Sequence, residues 1–185
     1  MQTILYLVYG AVLLAVGFGV FRRVLVREYL AKGRLGGPAS ILQVAVFVAF
    51  FFLPYLYLSP EWAWDWHPNG TWNRLVAIVL LVAGMVLAFG TMAWFGLGRA
   101  FGVQVRGLKR TGVYRFSRNP QMVGGWLMVI GVFFYEPSAY GIGWLIMWGF
   151  LGHWMVTTEE THLQRVFGDG YNRYCRETPR YLLRS

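Results

Sequence analysis

The sequence predicts an all-α integral membrane protein with five transmembrane helices and its N-terminus outside. Three observations lead there. Only 14% of the 185 residues are charged, against 57% hydrophobic and 18% aromatic, whereas a soluble domain carries about 25% charged residues. Five apolar runs divide the chain: Ile4–Phe21, Ile41–Leu58, Leu75–Phe95, Met122–Tyr135 and Ala139–Thr157. Basic residues collect in three segments that five spans would place on one side, which the positive-inside rule makes cytoplasmic.

Four of the runs are long enough to cross about 30 Å of hydrocarbon at ~1.5 Å per residue. The first has no basic residue before it, and Arg22 and Arg23 follow it. It therefore reads as a retained span and not as a cleaved signal. Between the second and third runs, Ser59–Trp72 carries Trp62, Trp64, Trp66 and Trp72, a composition suited to the headgroup level. Asn69-Gly70-Thr71 matches a glycosylation sequon, a short pattern of little weight. The third run leads into "GLGRAFG" at Gly96–Gly102, which lacks the GxGxxG spacing of a dinucleotide fold. The fourth run is short and spans only if the polar segment before it continues the helix or the bilayer thins. Pro137 in "YEPSAYG" marks a tight turn that makes runs four and five a hairpin.

The chain is thus a single membrane domain, residues 1–185, with the first three helices in 1–95 and a candidate cofactor-binding core and C-terminal tail in 96–185. Its +9 charge would attract anionic headgroups. The basic residues flank spans and build no recognition element, which argues against nucleic acid. Cys175 is the single cysteine, so no disulfide framework is expected. His67, His153 and His162 show no metal-ligand spacing.

Two cytoplasmic segments carry the chemistry. In "TGVYRFSRNPQMVGG" (Thr111–Gly125), Asn119-Pro120 suits a helix start, with Asn119 as cap and Pro120 at the first position. Free N–H groups there suit a carboxylate or a ribose oxygen. The plainer reading is that Asn119 only caps while Arg115 and Arg118 meet lipid phosphates. In "TTEETHLQRVFGDGYNRYCRETPRYL" (Thr157–Leu182), helix five runs into Glu159 and Glu160, and Leu163, Val166 and Phe167 continue an apolar stripe. Adjacent carboxylates at a membrane helix end are solvated or paired with a cation. His153 lies two turns before Glu160 on the same face, as a base or as a polar helix contact.

Together these segments resemble the membrane methyltransferase family that includes isoprenylcysteine carboxyl methyltransferases and phospholipid N-methyltransferases. Its signature is "G-x-Y-x-x-x-R-H-P-x-Y-x-G", a hydrophobic hairpin, a Glu-Glu pair and "L-x-x-x-F-G-x-x-Y-x-x-Y-x-x-x-x-P". Gly112, Tyr114, Arg118, Pro120 and Gly124 match the first part. Glu159, Glu160, Leu163, Phe167, Gly168, Tyr171, Tyr174 and Pro179 match the remainder. The resemblance covers roughly Gly96 to Arg180.

The resemblance implies S-adenosylmethionine as methyl donor, bound by Arg106, Gly107, Leu108, Lys109, Tyr114, Arg118, Asn119, Pro120, Met122 and Glu159, with a lipophilic molecule as acceptor. Glu159 would hold the donor's ammonium by a charge-assisted hydrogen bond. Glu160 and His153 are the candidate bases. Asn119 replaces the motif histidine and Met122 the motif tyrosine, while Arg106 stands where a histidine is frequent. Met155 falls at the substrate position where carboxyl-methylating relatives present an arginine. An amine, thiol or hydroxyl acceptor is therefore expected. Carboxyl methylation and a non-enzymatic membrane scaffold or subunit are the competing readings.

Overall fold

The computed structural model describes residues 2–56, 70–96, 102–103 and 107–182. Arg106 and most of the Ser59–Trp72 and Gly96–Gly102 segments lie outside these residues, and the tryptophan-belt and sequon readings rest mainly on them. All regular structure among the described residues is helical: α1 (Gln2–Gly19), a π-helical turn (Val20–Val24), α2 (Leu25–Lys32), α3 (Gly37–Phe52), α4 (Gly70–Phe95), α5 (Pro120–Tyr135), α6 (Ala139–Phe167) and α7 (Asp169–Glu177). Short 3₁₀ turns occupy Leu53–Leu56 and Gly112–Arg115.

The stretches Gln2–Lys32 and Gly70–Trp94 are long and apolar enough to cross a membrane, while Gly37–Phe52 and Pro120–Tyr135 are shorter apolar helices. Their outer faces leave apolar side chains such as Ile4, Ile41 and Val86 exposed.

Helix ends depart from the apolar runs for identifiable reasons. The first helix does not stop at Arg22 and Arg23. It passes them through the π turn and ends where Gly33 adopts φ 65°. In that turn the Phe21 carbonyl accepts a hydrogen bond from Thr158 Oγ1 at 3.0 Å, tying the first helix to α6. α3 starts four residues earlier than Ile41, with Pro38 in its first turn, where the missing N–H costs nothing. α5 likewise begins at Pro120. Ser138 caps α6 by accepting from the Gly141 N–H at 3.1 Å.

α6 is the hub. Its buried face includes Trp144, Leu151 and Val156, and it packs against α1, α2, α5 and α7. The Trp144 indole donates to the Phe50 carbonyl at 3.3 Å, fixing α3 as well. α4 packs along α5 at near backbone contact. A Cβ at Gly84 would sit 2.6 Å from the Gly124 carbonyl oxygen, and one at Gly124 would sit 2.7 Å from that of Gly84. Small residues are the usual means of close helix approach in membranes, where apolar burial offers little drive.

α6 continues ten residues past Thr157. That extension carries the carboxylates beyond the apolar run to the end of the bundle where α2 packs on α6 and the Gly112–Arg115 turn meets α7 through Tyr174.

Candidate active site

Glu160 is the centre of a closed polar cluster. It is buried, and Arg118 Nη2 stands 3.2 Å from its Oε1 while Arg180 Nη2 stands 2.8 Å from its Oε2. Arg180 Nε also donates to Oε2 at 2.9 Å, and Asn119 Nδ2 approaches Oε1 at 3.4 Å. The chain around the cluster is stitched by backbone groups. The Arg118 N–H donates to the Pro179 carbonyl at 2.9 Å, while Asn119 Nδ2 and Ser117 Oγ both donate to the Arg180 carbonyl at 3.2 Å.

Asn119 occupies the N-cap position of α5 but makes no side-chain cap hydrogen bond. Its amide turns to Glu160 and Arg180, so the capping expectation is corrected. The cause is local: Ser117 Oγ accepts the Asn119 N–H at 3.1 Å and shapes the turn, and a buried carboxylate attracts the amide donor more strongly than a helix N–H attracts its carbonyl.

Glu159 is half-buried, and among the described residues it has no ion pair or hydrogen bond. Burial, and then the like charge of Glu160, push its carboxyl up to about 7. Its electrostatic neighbours are tyrosines: Tyr29, Tyr114 and Tyr171 all feel its charge. Tyr114 is buried on the Gly112–Arg115 turn, where its carbonyl accepts from Tyr174 OH at 2.8 Å. Burial is also the main force raising the hydroxyls of Tyr114, Tyr171 and Tyr174 above their ordinary value. A cleft of 420 Å³ opens beside Arg118, Glu160, Tyr171 and Arg180.

The remaining residues named from sequence fall in different places. Lys109 donates to the Trp94 carbonyl at 2.9 Å, and its ammonium lies 3.5 Å from the centre of that ring. Leu108 lies close to Gly170 of α7, and Gly107 takes φ 60°. Pro120 is buried at the start of α5. Met122 and Met155 are buried and line an apolar groove next to the cluster. His153 is exposed on α6 and does not join them.

Several residues carry no sequence signal. Tyr29 stacks on His162 at 4.0 Å between centroids. His162 is buried, its Nε2 has no hydrogen-bond partner, and burial lowers its pKa. Gln121 and Gln43 join Met122 and Met155 in lining the groove. Isolated residues on separate helices have no spacing pattern that could reveal them; only the packing brings them together.

The family model for phospholipid methyltransferase matches residues 72–170, from the first turn of α4 to the first turn of α7. No curated protein and no solved structure matches the chain. Glu159, Glu160, Tyr114, Arg118 and Asn119 lie within the matched residues, whereas Arg180 and α1 to α3 lie outside. With more than half of its 185 residues matched, the chain belongs to the phospholipid methyltransferase family.

Proposed function

We propose that the protein is an S-adenosylmethionine-dependent methyltransferase acting on a lipophilic amine, thiol or hydroxyl acceptor at the membrane. In this reading the chain spans five times, with its N-terminus outside and the site on the cytoplasmic side. Family membership and the apolar helices support methyl transfer in association with a membrane. The observation that carries the choice of donor is the contrast between the two carboxylates. Glu160 is saturated by Arg118 and Arg180, whereas half-buried Glu159, whose charge is felt by Tyr29, Tyr114 and Tyr171, has no cation partner among the described residues.

A half-buried carboxylate without a counter-charge is costly unless a ligand provides one, and the ammonium of an amino-acid-like donor is such a ligand. S-adenosylmethionine, when bound, would supply an electrophilic methyl group, its sulfur keeping the electron pair of the S–CH₃ bond as the acceptor's lone pair takes the methyl and the acceptor's proton is lost to water. Glu159 would hold its ammonium. Glu160 acts as a positioning group, keeping Arg118 and Arg180 beside the cleft where a donor carboxylate would lie. Exposed on α6, His153 takes no part in this scheme. The acceptor meets the donor from the apolar side, over Met122 and Met155, where a charged carboxylate would lose its hydration with no guanidinium to replace it.

Calorimetric titration of the demethylated donor product into the protein in lipid nanodiscs tests this reading. Loss of a charge-assisted hydrogen bond costs about 1.5–3 kcal/mol, or roughly ten- to over a hundred-fold in affinity. Glu159→Gln is expected to weaken binding within that range. No binding by the wild type would overturn the proposal.

A further inference from the structure

Away from the carboxylate cluster, a cavity of 240 Å³ lies between the first helix and α6. Arg22 of the π turn and Tyr29 of α2 form one wall, and Thr158, Thr161, His162 and Arg165 form the other. The cavity is smaller than the roughly 300–1,000 Å³ of a site that encloses a whole small molecule. It has room for a compact polar group.

Hydrogen bonds hold the two walls together. Thr158 Oγ1 donates to the Phe21 carbonyl at 3.0 Å, and Arg22 Nη1 donates to Thr157 Oγ1 at 3.3 Å. Thr161 Oγ1 donates to the Thr157 carbonyl at 2.7 Å. The threonine protons in the walls are thus spent on backbone, which leaves Arg22 and Arg165 as the donors for a ligand. Both arginines are exposed, and among the described residues neither forms an ion pair. The charge of Arg165 reaches the His162 imidazole on the same wall. No carboxylate lines the cavity among the described residues, and Glu159, although it follows Thr158 in the chain, is not part of the wall. Two cations that share a cavity without a counter-charge repel each other, and an anion between them reverses the sign of the interaction. Phosphate oxygens match the guanidinium fork.

The surroundings indicate where such a phosphate comes from. Phe18 stands about one turn before Arg22, and Trp154 about one turn before Thr158. Their rings meet edge to face at 5.3 Å, and Phe150 continues the strip at 5.6 Å from Trp154. Phe18 and Phe150 are 42% and 49% exposed. An open aromatic strip therefore leads from the cavity back along the apolar parts of α1 and α6. The cavity itself lies where the first apolar run ends at Phe21. A phosphate-binding end continued by an apolar strip has the polarity of a membrane lipid.

We propose that this cavity seats the phosphate of an anionic phospholipid from the surrounding leaflet. Arg22 and Arg165 hold the phosphate oxygens, and an acyl chain lies along Phe18, Trp154 and Phe150. Soluble phosphate shares the headgroup chemistry, but only a lipid uses the strip. An amine-bearing headgroup is disfavoured, because its ammonium would meet two cations and no carboxylate. The seat is therefore separate from the acceptor's route over Met122 and Met155, and it does not depend on the methyltransferase reading. A lipid bound there bridges the first helix to α6, the helix that carries Glu159 and Glu160.

The test uses the full chain in a non-ionic detergent, with native mass spectrometry following the binding of phosphatidylglycerol or phosphatidylcholine. The first phosphatidylglycerol is expected to bind at least about five-fold more tightly than phosphatidylcholine. Arg22→Gln and Arg165→Gln should each weaken it about five- to ten-fold, and Arg22→Lys, which keeps the charge, should weaken it less. Arg23→Gln removes an exposed arginine outside the wall and should change binding less than about two-fold. Phe18→Ala, which shortens the strip, should weaken phosphatidylglycerol about two- to five-fold. Inorganic phosphate should displace the lipid no better than chloride at the same ionic strength. Displacement by phosphate but not chloride would overturn the lipid source and leave a soluble-phosphate site. Equal affinity for the two lipids would overturn the inference, as would equal losses in Arg22→Gln and Arg23→Gln, which would reduce it to unspecific surface charge.

Discussion

Arg180 grips Glu160 through two nitrogens, with Nε at 2.9 Å and Nη2 at 2.8 Å from the same Oε2. The contact joins the residue after Pro179 to the last turns of α6. Arg118 approaches Oε1 from the α5 side. The two guanidiniums differ in surroundings, since the Arg118 side chain is 10% exposed and that of Arg180 38%.

That difference sets an order of effects. Removing the carboxylate strands a buried cation, which costs about 3 kcal/mol or more. Replacing the more exposed Arg180 costs about 1 kcal/mol. Glu160→Gln is therefore expected to lower the unfolding midpoint in detergent well below that of Arg180→Gln. Equal midpoints would show that Arg118 does not depend on Glu160.

The pH dependence of Glu159 has a definite sign. Its folded-state value of about 7 exceeds the ordinary 4.5, so the fold binds this proton more tightly than the unfolded chain. The resulting stabilisation is fully present below about pH 4.5 and is lost as the pH rises through about 7. Unfolding midpoints across that window should fall more steeply for wild type than for Glu159→Gln. Donor binding has the opposite trend, because only the ionised carboxylate pairs with an ammonium, and affinity should rise toward and above pH 7. A flat affinity profile would take Glu159 out of the site.

The α4–α5 contact leaves no room for a side chain at Gly84. Gly84→Val would drive the helices apart, and overpacking of this kind costs about 1–3 kcal/mol. Gly90, with open space around its Cβ position, is the matched control. Gly90→Val should unfold close to wild type, and a comparable loss at both positions would contradict the close-packed interface.

Sidedness can be read with reporters. One fused after Ser185 should be cytoplasmic and one at Met1 outside, because the basic segments alternate with five spans. Both termini on the same side would exclude an odd number of spans.

The helical class and the carboxylate pair were legible because apolar length and motif spacing are local properties of a chain. The details at the site were not. Hydrophobic periodicity continues an apolar stripe through Leu163, Val166 and Phe167, yet Val166 is exposed while Glu160 and His162 are buried. Glu160 is buried because Arg118, Arg180 and Asn119 satisfy it, and periodicity cannot see partners that arrive from other helices. The π turn at Val20–Val24 is equally silent, since its carbonyl partner Thr158 is 137 positions away. Asn119 has the residue type of a cap and spends its amide on Glu160. Gln43 looks like a lone polar residue in an apolar run until α6 places Met155 against it.

The most direct measurement is transfer of isotope-labelled methyl from S-adenosylmethionine into the lipid-extractable fraction by the purified protein. The acceptors are a lipid extract and, in parallel, a prenylated cysteine carboxylate. The account predicts label in a lipophilic amine, thiol or hydroxyl fraction, a loss of at least about ten-fold at subsaturating donor in Glu159→Gln, and no turnover of the carboxylate. Robust carboxyl methylation by the wild type would contradict the acceptor assignment built on Met155. No label in any acceptor, together with no product binding, would contradict the account as a whole.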